Sequence, residues 1–484
     1  MRDLCTLADL AELVGGTTRG NASVPISDVT HDSRDVGTGS LFVAIRGFTI
    51  DGHQFVPDLA GTAGAAAVEE WIEADIPQIL VDDTRAALGQ LADAVYGHPS
   101  GDMAVVGVTG TNGKTTVTYL VESIVHAAGG KPARIGTTGA SINGRSMPSP
   151  RTTPEASDLH RLLAEMVAAG VTVAAIEVSS HALSLGRVDG VDFEVAAFTN
   201  LSQDHLDFHI DMEDYFRAKA KLFNGRASTE VIWVDDTYGR RLFDQRCGHA
   251  ISVGFDDADV RASNVSTGLE RSTFLLETPR GRIPVELPLG GGFNIANALV
   301  AAACSLQVEI DLDAIADGLR SISPVPGRME PVDRGQPFSV LVDYAHSPGG
   351  VQIVVDAVRR ITDGRVIVVV GAGGDRDREK RPLMGAAAAR ADVLIVTSDN
   401  PRSEDPDLII DAVLSGTSDS QARIVREADR KTAIVLAVAE AAAGDVVLVL
   451  GKGHEPGQDI DGVVHPFHDR EVVAEALAGA GYGT

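Results

Sequence analysis

The stretch Gly107-Val-Thr-Gly-Thr-Asn-Gly-Lys-Thr-Thr116 restricts the possible folds of this chain more than any other. It follows the short β-branched run Met103-Ala-Val-Val-Gly-Val108. It precedes Leu120, Val121, Ile124 and Val125, which recur at helical spacing from Thr115 onward. Strand, glycine loop, Gly-Lys-Thr and helix together make a cradle for phosphate. Backbone N–H groups at the helix start face the anion, Lys114 supplies a mobile positive charge, and the Thr115 hydroxyl is suited to magnesium. The strict phosphate-loop pattern requires glycine at position 108, where this chain has Val108; its glycines fall at Gly107, Gly110 and Gly113. A chance glycine turn before a helix is the competing reading. The flanking strand and helix favour nucleotide binding.

Around this loop the chain alternates strands with helices. Buried-strand candidates are Leu41 to Ile45, Val171 to Val178, Val195 to Thr199, Val231 to Val234 and Ile251 to Val253. Helical stretches at Leu88 to Tyr96, Asp158 to Ala169 and Met212 to Phe223 separate several of them. Such alternation predicts an α/β protein with a mostly parallel sheet. Turn-rich Gly97-His-Pro-Ser-Gly101 and Ser323-Pro-Val-Pro-Gly-Arg-Met-Glu330 punctuate the chain. After the second comes a fresh series: strands Ser339 to Val342, Val366 to Val370, Val393 to Thr397 and Val446 to Leu450, with a helix over Val351 to Arg360. At 484 residues one core is too small, and three domains are expected: 1–98, 99–326 and 327–484.

Lysine plus arginine is 41 against 68 acidic residues, a net charge of −27. That field repels a phosphate backbone, so no nucleic-acid partner is expected, and an anionic substrate must be captured locally. Cys5, Cys247 and Cys304 lack metal-ligand spacing and are odd in number, which fits a reducing cytoplasm. The amphipathic start Met1–Leu10 lacks a signal-peptide core, and no apolar run approaches the roughly 20 residues of a membrane span.

The spelling Gly110-Thr-Asn-Gly-Lys-Thr-Thr116 resembles the Mur ligase family, which also includes folylpolyglutamate synthases. The resemblance runs along the whole chain. Asp32-Ser-Arg34, Gly39-Ser-Leu-Phe-Val-Ala44 and Asp51-Gly-His53 look like the N-terminal UDP-binding domain of the MurE-type branch, which adds diaminopimelate or lysine. Thr152-Thr-Pro154, Glu177-Val-Ser-Ser-His181, Asp204-His-Leu-Asp207, Phe293-Asn294, Gly327-Arg-Met-Glu330 and Asp343-Tyr-Ala-His346 follow in order. Gly373-Gly-Asp-Arg-Asp377, Asp399-Asn-Pro-Arg402 and Gly451-Lys-Gly-His-Glu455 close the series. The resemblance implies an N-terminal α/β UDP-binding domain, a central phosphate-loop ATPase domain and a C-terminal Rossmann-like domain. It also implies ATP and magnesium as cofactors, and an amide bond made through an acyl phosphate.

Residue by residue, it implies ATP contacts from Gly110, Thr111, Asn112, Gly113, Lys114, Thr115, Thr116, Asn294, Arg328 and Asp343. Magnesium would be held by Thr115, Glu177 at its strand end, His205 and Lys219 modified to N6-carboxylysine; Lys114, Glu177, His205 and Lys219 form the catalytic set. Carbamylation requires a neutral, accessible amine; a solvated surface lysine is the alternative, and Lys221 is the competing position. His346 is a weaker candidate. Ser33, Thr152, Thr153, Ser179 and Arg187 match positions that hold UDP-muramoyl-dipeptide. Leu185 departs from the glutamine that close relatives commonly carry two places before that arginine, so one hydrogen bond is absent or rerouted through water.

Arg376, Asp399, Asn400, Pro401, Arg402, Gly451 and Glu455 match the amino-acid pocket. A guanidinium fork suits the distal carboxylate of meso-diaminopimelate and opposes the ammonium of lysine. The expected product is a peptidoglycan precursor for cell-wall growth and cell division, made by a cytoplasmic monomer. Two alternatives stand: a lysine-adding ligase of the same branch, and a nucleotide-binding NTPase switch.

Overall fold

The computed structural model describes residues 5–149, 151–246 and 250–483. Cys247 and the first four residues of the amphipathic start lie outside them. Among the described residues Cys5 and Cys304 are free thiols, and no helix is long and apolar enough to cross a membrane. The chain forms two compact units. One comprises Met1–Thr109, Gly129–Ala197 and Ala218–Glu230; the other comprises Gly110–Ala128, Phe198–Arg217 and Val231–Thr484.

In the first unit, strands Asp28–Thr30, Ser40–Val43, Ala65–Val68 and Gln78–Leu80 pair in parallel, with Thr17–Arg19 antiparallel at the edge. Side chains alternate across this sheet. Leu41, Val43, Ala65, Ala67 and Ile79 pack with Leu88 and Leu91 of helix Thr84–Tyr96, while Phe42, Ala44, Ala66 and Val68 pack with Val56 on the other face. Asp83 caps that helix by accepting from the Ala86 N–H, and Gly97 ends it in the left-handed conformation, which needs no Cβ. The expected linker at 97–101 is therefore this cap followed by the short 3-10 turn Pro99–Asp102. Strand Ala104–Thr109 pairs in parallel with Val173–Glu177, which in turn pairs in parallel with Pro132–Gly136. All five residues of Val173–Glu177 are buried, as a strand covered on both faces requires.

The second unit holds the Rossmann-like sheet. Strands Ser339–Asp343, Val446–Leu450, Val366–Val370, Val393–Val396 and Arg423–Arg426 lie side by side in parallel, and Glu330–Pro331 is antiparallel at the edge. Val366, Val368 and Val370 face helices Pro348–Ile361 and Lys380–Ala388, whereas Ile367 and Val369 face Arg430–Glu440 and Asp469–Gly479. Helices on both faces explain why these strands read as unbroken apolar runs. Arg430 and Asp469 form a fully buried ion pair at 2.7 Å, and Arg430 also donates to the Leu450 carbonyl, anchoring the carboxyl end of its strand.

The same unit contains strands that the alternation pattern did not foresee. Val260–Thr267, Ser272–Thr278 and Gly281–Leu287 form an antiparallel series. They are half polar, with one buried face, so they resemble surface loops in sequence. Helix Gly292–Gln307 follows. The helix expected over Met212 to Phe223 is α-helical to Ala220 and tightens to a 3-10 turn over Lys221–Phe223.

Candidate active site

The phosphate loop runs from the end of strand Ala104–Thr109 into helix Lys114–Ala127. No side chain caps that helix, so its first N–H groups and its positive end are presented to an anion. Gly110 and Gly113 have φ of +147° and +88°. A Cβ at Gly110 would overlap the Thr199 hydroxyl, and one at Gly113 would overlap the Asn297 side chain. The loop's shape thus depends on both glycines.

Segment 199–202 clamps the loop from one side. Asn200 accepts from the Thr111 and Asn112 N–H groups at 2.9 and 3.0 Å, and its amide donates to the Asn112 carbonyl at 3.1 Å. Ser202 N–H donates to the Thr111 hydroxyl at 3.0 Å, and Tyr215 lies 3.2 Å from that hydroxyl. Sequence reading missed Asn200, Ser202 and Tyr215, because nothing local marks a clamp some 90 residues away. Lys114 curls over the loop and donates to the Gly110 and Thr111 carbonyls, both at 2.9 Å. Thr115 and Thr116 are buried.

Arg328 donates to the Thr115 hydroxyl at 2.9 Å and lies 4.5 Å over the Tyr344 ring. Asp343, buried, accepts from the N–H groups of Met329 at 2.7 Å and Ala345 at 2.8 Å. Burial raises its pKa, against Arg328 and those two bonds. Asn294 is buried at the start of its helix and donates back to the Gly290 carbonyl at 2.8 Å.

Next to His205, which adopts φ +56°, lies Asp204. Its carboxylate has Lys380 at 3.3 Å, His346 at 3.4 Å and His205 at 3.7 Å. Burial opposes its charge, yet these three neighbours, His205 and His346 ahead of Lys380, hold the carboxyl well below the usual range. His346, weak in sequence, and Lys380, which sequence reading passed over, therefore belong to this cluster. In the first unit, Glu177 is fully buried and accepts from Thr137 N–H at 2.9 Å and from the Thr137 hydroxyl at 3.0 Å. Thr152 lies 3.2 Å from that hydroxyl, and Thr153 donates to the Glu177 carbonyl at 2.7 Å. Ser179 caps helix Ser180–Ser184, Leu185 ends it, and Ser33 is half-buried. Lys219 is buried, whereas Lys221 is exposed.

The residues expected to meet the amino acid sit at the carboxyl ends of the parallel strands, where ligands gather in open sheets. Asn400 donates to Glu455 at 2.8 Å, and Tyr344 donates to the same carboxylate at 3.3 Å. Fully buried Lys452 donates to Asn400 at 2.9 Å and to Glu455 at 3.2 Å; it stands within the Gly451–Glu455 motif but had been given no role. Asp399 and Pro401 are buried, Gly451 N–H donates to the Asp343 carbonyl at 3.1 Å, and Arg376 is exposed. Arg402 adopts φ +51° and donates to the Gly374 carbonyl at 2.6 Å. A non-glycine residue in that region marks a position whose surroundings outweigh the strain.

Glu404 fastens this loop. Arg381 forks onto it at 3.1 and 2.8 Å, and that fork above all lowers its pKa from 4.5 to about 2. Because the folded state binds this proton more weakly, the stabilisation is complete above about pH 4.5 and is lost as the pH falls toward 2. Glu404→Gln should therefore destabilise the protein at neutral pH, and the gap from the parent should close on acidification. Urea unfolding at stepped pH checks this; a constant gap would count against it.

With this geometry in hand, the class of the protein is settled by comparison. The chain matches the Mur ligase middle domain over residues 108–305, the "Mur ligase, glutamate ligase domain" over 327–453, and the "Mur ligase family, catalytic domain" over 25–96. It belongs to the Mur ligase family, and its fold is the three-domain α/β fold of that family. Among particular relatives, the UDP-N-acetylmuramoyl-L-alanyl-D-glutamate–2,6-diaminopimelate ligase of Streptomyces coelicolor is 47% identical, across 97% of this chain and 96% of that one. The enzyme of the same name from Corynebacterium glutamicum is 44% identical, across 97% of each chain. A solved structure of a UDP-N-acetylmuramoyl-L-alanyl-D-glutamate–2,6-diaminopimelate ligase superposes with TM-score 0.70 at 32% identity, covering 99% of this chain and 100% of that one.

Proposed function

We propose that this Mur-family ligase uses ATP to join meso-diaminopimelate to UDP-N-acetylmuramoyl-L-alanyl-D-glutamate. The observation that carries the reading is a group of loop residues that includes an arginine, Arg402, and an acid, Glu455. It lies at the strand ends of the compact unit that also holds the phosphate loop. An amino acid with a carboxylate at its far end matches that pair, since a guanidinium fork pairs bidentately with carboxylate.

In the proposed reaction the ATP γ-phosphoryl group passes to the D-glutamate γ-carboxylate, giving an acyl phosphate. The diaminopimelate amine attacks, the tetrahedral adduct collapses, and phosphate leaves. Lys114 and Arg328 would offset charge on the transferred phosphoryl group, Asn294 and Asp343 would hold the nucleoside, and Glu455 would meet the incoming ammonium. Thr152, Thr153, Ser179 and Arg187 would hold the dipeptide end, and Ser33 the UDP end. Domain limits at 1–98, 99–326 and 327–484 go with this division of labour.

Among the described residues no three His, Cys, Asp or Glu side chains gather as a metal cage. Magnesium is satisfied by few protein oxygens when phosphate and water supply the rest, and the Thr115 hydroxyl and Glu177 carboxylate are donors of that kind. Bound there with His205 and a carbamylated Lys219, it would neutralise triphosphate charge. The burial of Lys219 supports that residue over Lys221, because desolvation favours the neutral amine that carbamylation needs. Lys219→Ala should lose nearly all ligation, and short carboxylic acids should restore part of it; indifference to the acids would argue against the carbamate.

The same reading has the enzyme working as a cytoplasmic monomer. The deciding assay supplies purified protein with ATP, the UDP-muramoyl-dipeptide and either diaminopimelate or L-lysine. Tripeptide formation with diaminopimelate is expected. Faster turnover with lysine would move the protein to the lysine-adding branch, and ATP hydrolysis without any tripeptide would favour an NTPase switch.

A further inference from the structure

Three guanidinium groups converge on one buried carboxylate in the first unit. Glu155, directly before helix Ala156–Ala168, has Arg187 at 2.9 Å, Arg151 at 3.3 Å and Arg85 at 3.7 Å. One negative charge therefore answers three positive ones, in a chain whose net charge is −27. The excess sits on side chains that are only partly covered, with Arg85 27% and Arg187 13% exposed, but single atoms of both are enclosed. Arg85 Nη1 and Arg187 Nε are inaccessible and have no hydrogen-bond partner, and leaving charged donors buried without a hydrogen bond is costly. Arg85 also stands in the first turn of helix Thr84–Tyr96, at the positive end of the helix dipole, where a cation is disfavoured. Burial lowers the Arg187 pKa even with Glu155 beside it, as expected of a cation short of counter-charge.

The cluster adjoins the residues expected to hold the dipeptide. Arg187 donates to the Thr153 carbonyl at 3.4 Å, and the Thr153 hydroxyl accepts from Ser179 N–H at 3.1 Å. We infer that Arg85 is a substrate-binding residue. Together with Arg187 it forms a subsite for the free α-carboxylate of the D-glutamyl residue, the carboxylate that is not activated. The inference rests on the proposed function. A carboxylate there would pair with the guanidinium groups of both arginines and cancel one of the two excess charges. Holding the α-carboxylate would also leave the γ-carboxylate as the only one free to be phosphorylated.

The test compares Arg85→Ala and Arg85→Lys with the parent enzyme on two substrates: UDP-muramoyl-L-Ala-D-Glu, and its analogue whose α-carboxylate is a primary amide. Kinetics are run at saturating ATP and diaminopimelate, alongside calorimetric binding of each substrate. Loss of a charged hydrogen bond should raise KM and the dissociation constant of the native substrate about 10- to 100-fold in Arg85→Ala. The same substitution should change the amide analogue's values by less than about threefold, and Arg85→Lys, which keeps charge without the fork, should fall between. Unchanged binding of the native substrate, or an equal loss for both substrates, would overturn the assignment, the equal loss pointing to a phosphate contact or a structural role. If Arg85→Ala does not fold, Arg85→Lys carries the same comparison. Failure of the parent to form tripeptide would refute the proposed function, and the binding arms would still decide for or against the subsite.

Discussion

Arg402→Ala should cost the enzyme most of its diaminopimelate activity and little of its residual activity with lysine. Removing one partner of a buried, hydrogen-bonded charge pair costs about 2–5 kcal/mol, or roughly 30-fold to a few thousandfold in kcat/KM. The loss should fall on diaminopimelate because only its far end carries a carboxylate. For L-lysine the substitution removes a like charge facing the ammonium, so its kcat/KM should hold or rise. The Gly374 carbonyl, 2.6 Å from Arg402, would then lose its donor, and part of the effect would come from a looser loop. Arg402→Lys separates these contributions: it keeps the charge without the fork, and it should not restore discrimination. Competition between the two amino acids in one assay reads the result directly. Equal losses on both would mean that Arg402 shapes the loop and does not read the substrate.

Lys114→Ala should lower kcat by about 10²–10³-fold or more, the usual cost of removing one group that stabilises developing charge. In this structure Lys114 also braces its own loop through the Gly110 and Thr111 carbonyls, so nucleotide affinity should weaken as well. The asymmetry between the two effects is informative. A ligase that needs phosphoryl transfer should lose tripeptide formation and phosphate release together, whereas retention of full phosphate release with both substrates present would rule out the ligase mechanism. Coupled phosphate detection beside product chromatography makes the comparison.

Much of this site was legible along the chain, for a physical reason. The phosphate loop is a local object: strand, glycines with left-handed backbone, lysine and helix N-terminus all fall between Ala104 and Ala127. The parallel strands were equally plain, because strands buried on both faces have little choice but unbroken valine, isoleucine and leucine. The antiparallel strands between Val260 and Leu287 were not, since their alternation of polar and apolar residues also suits exposed loop. Lys380 and Lys452 escaped notice because a lysine in sequence is presumed solvated. Only folding shows that one is buried against Asp204 and the other against Asn400 and Glu455.

The chain's own order of residues determined the phosphate loop, the strand and helix sequence, and the motif series from Asp32-Ser-Arg34 to Glu455. These depend on backbone periodicity and turn chemistry within a few residues. The tertiary structure alone decided which distant groups meet. Arg328 reaches Thr115 across 213 residues, Asn200 clamps Asn112 across 88, and Arg85, Arg151 and Arg187 share Glu155. Such meetings follow from strand order and from where each crossover returns the chain, and no local pattern of side chains records either.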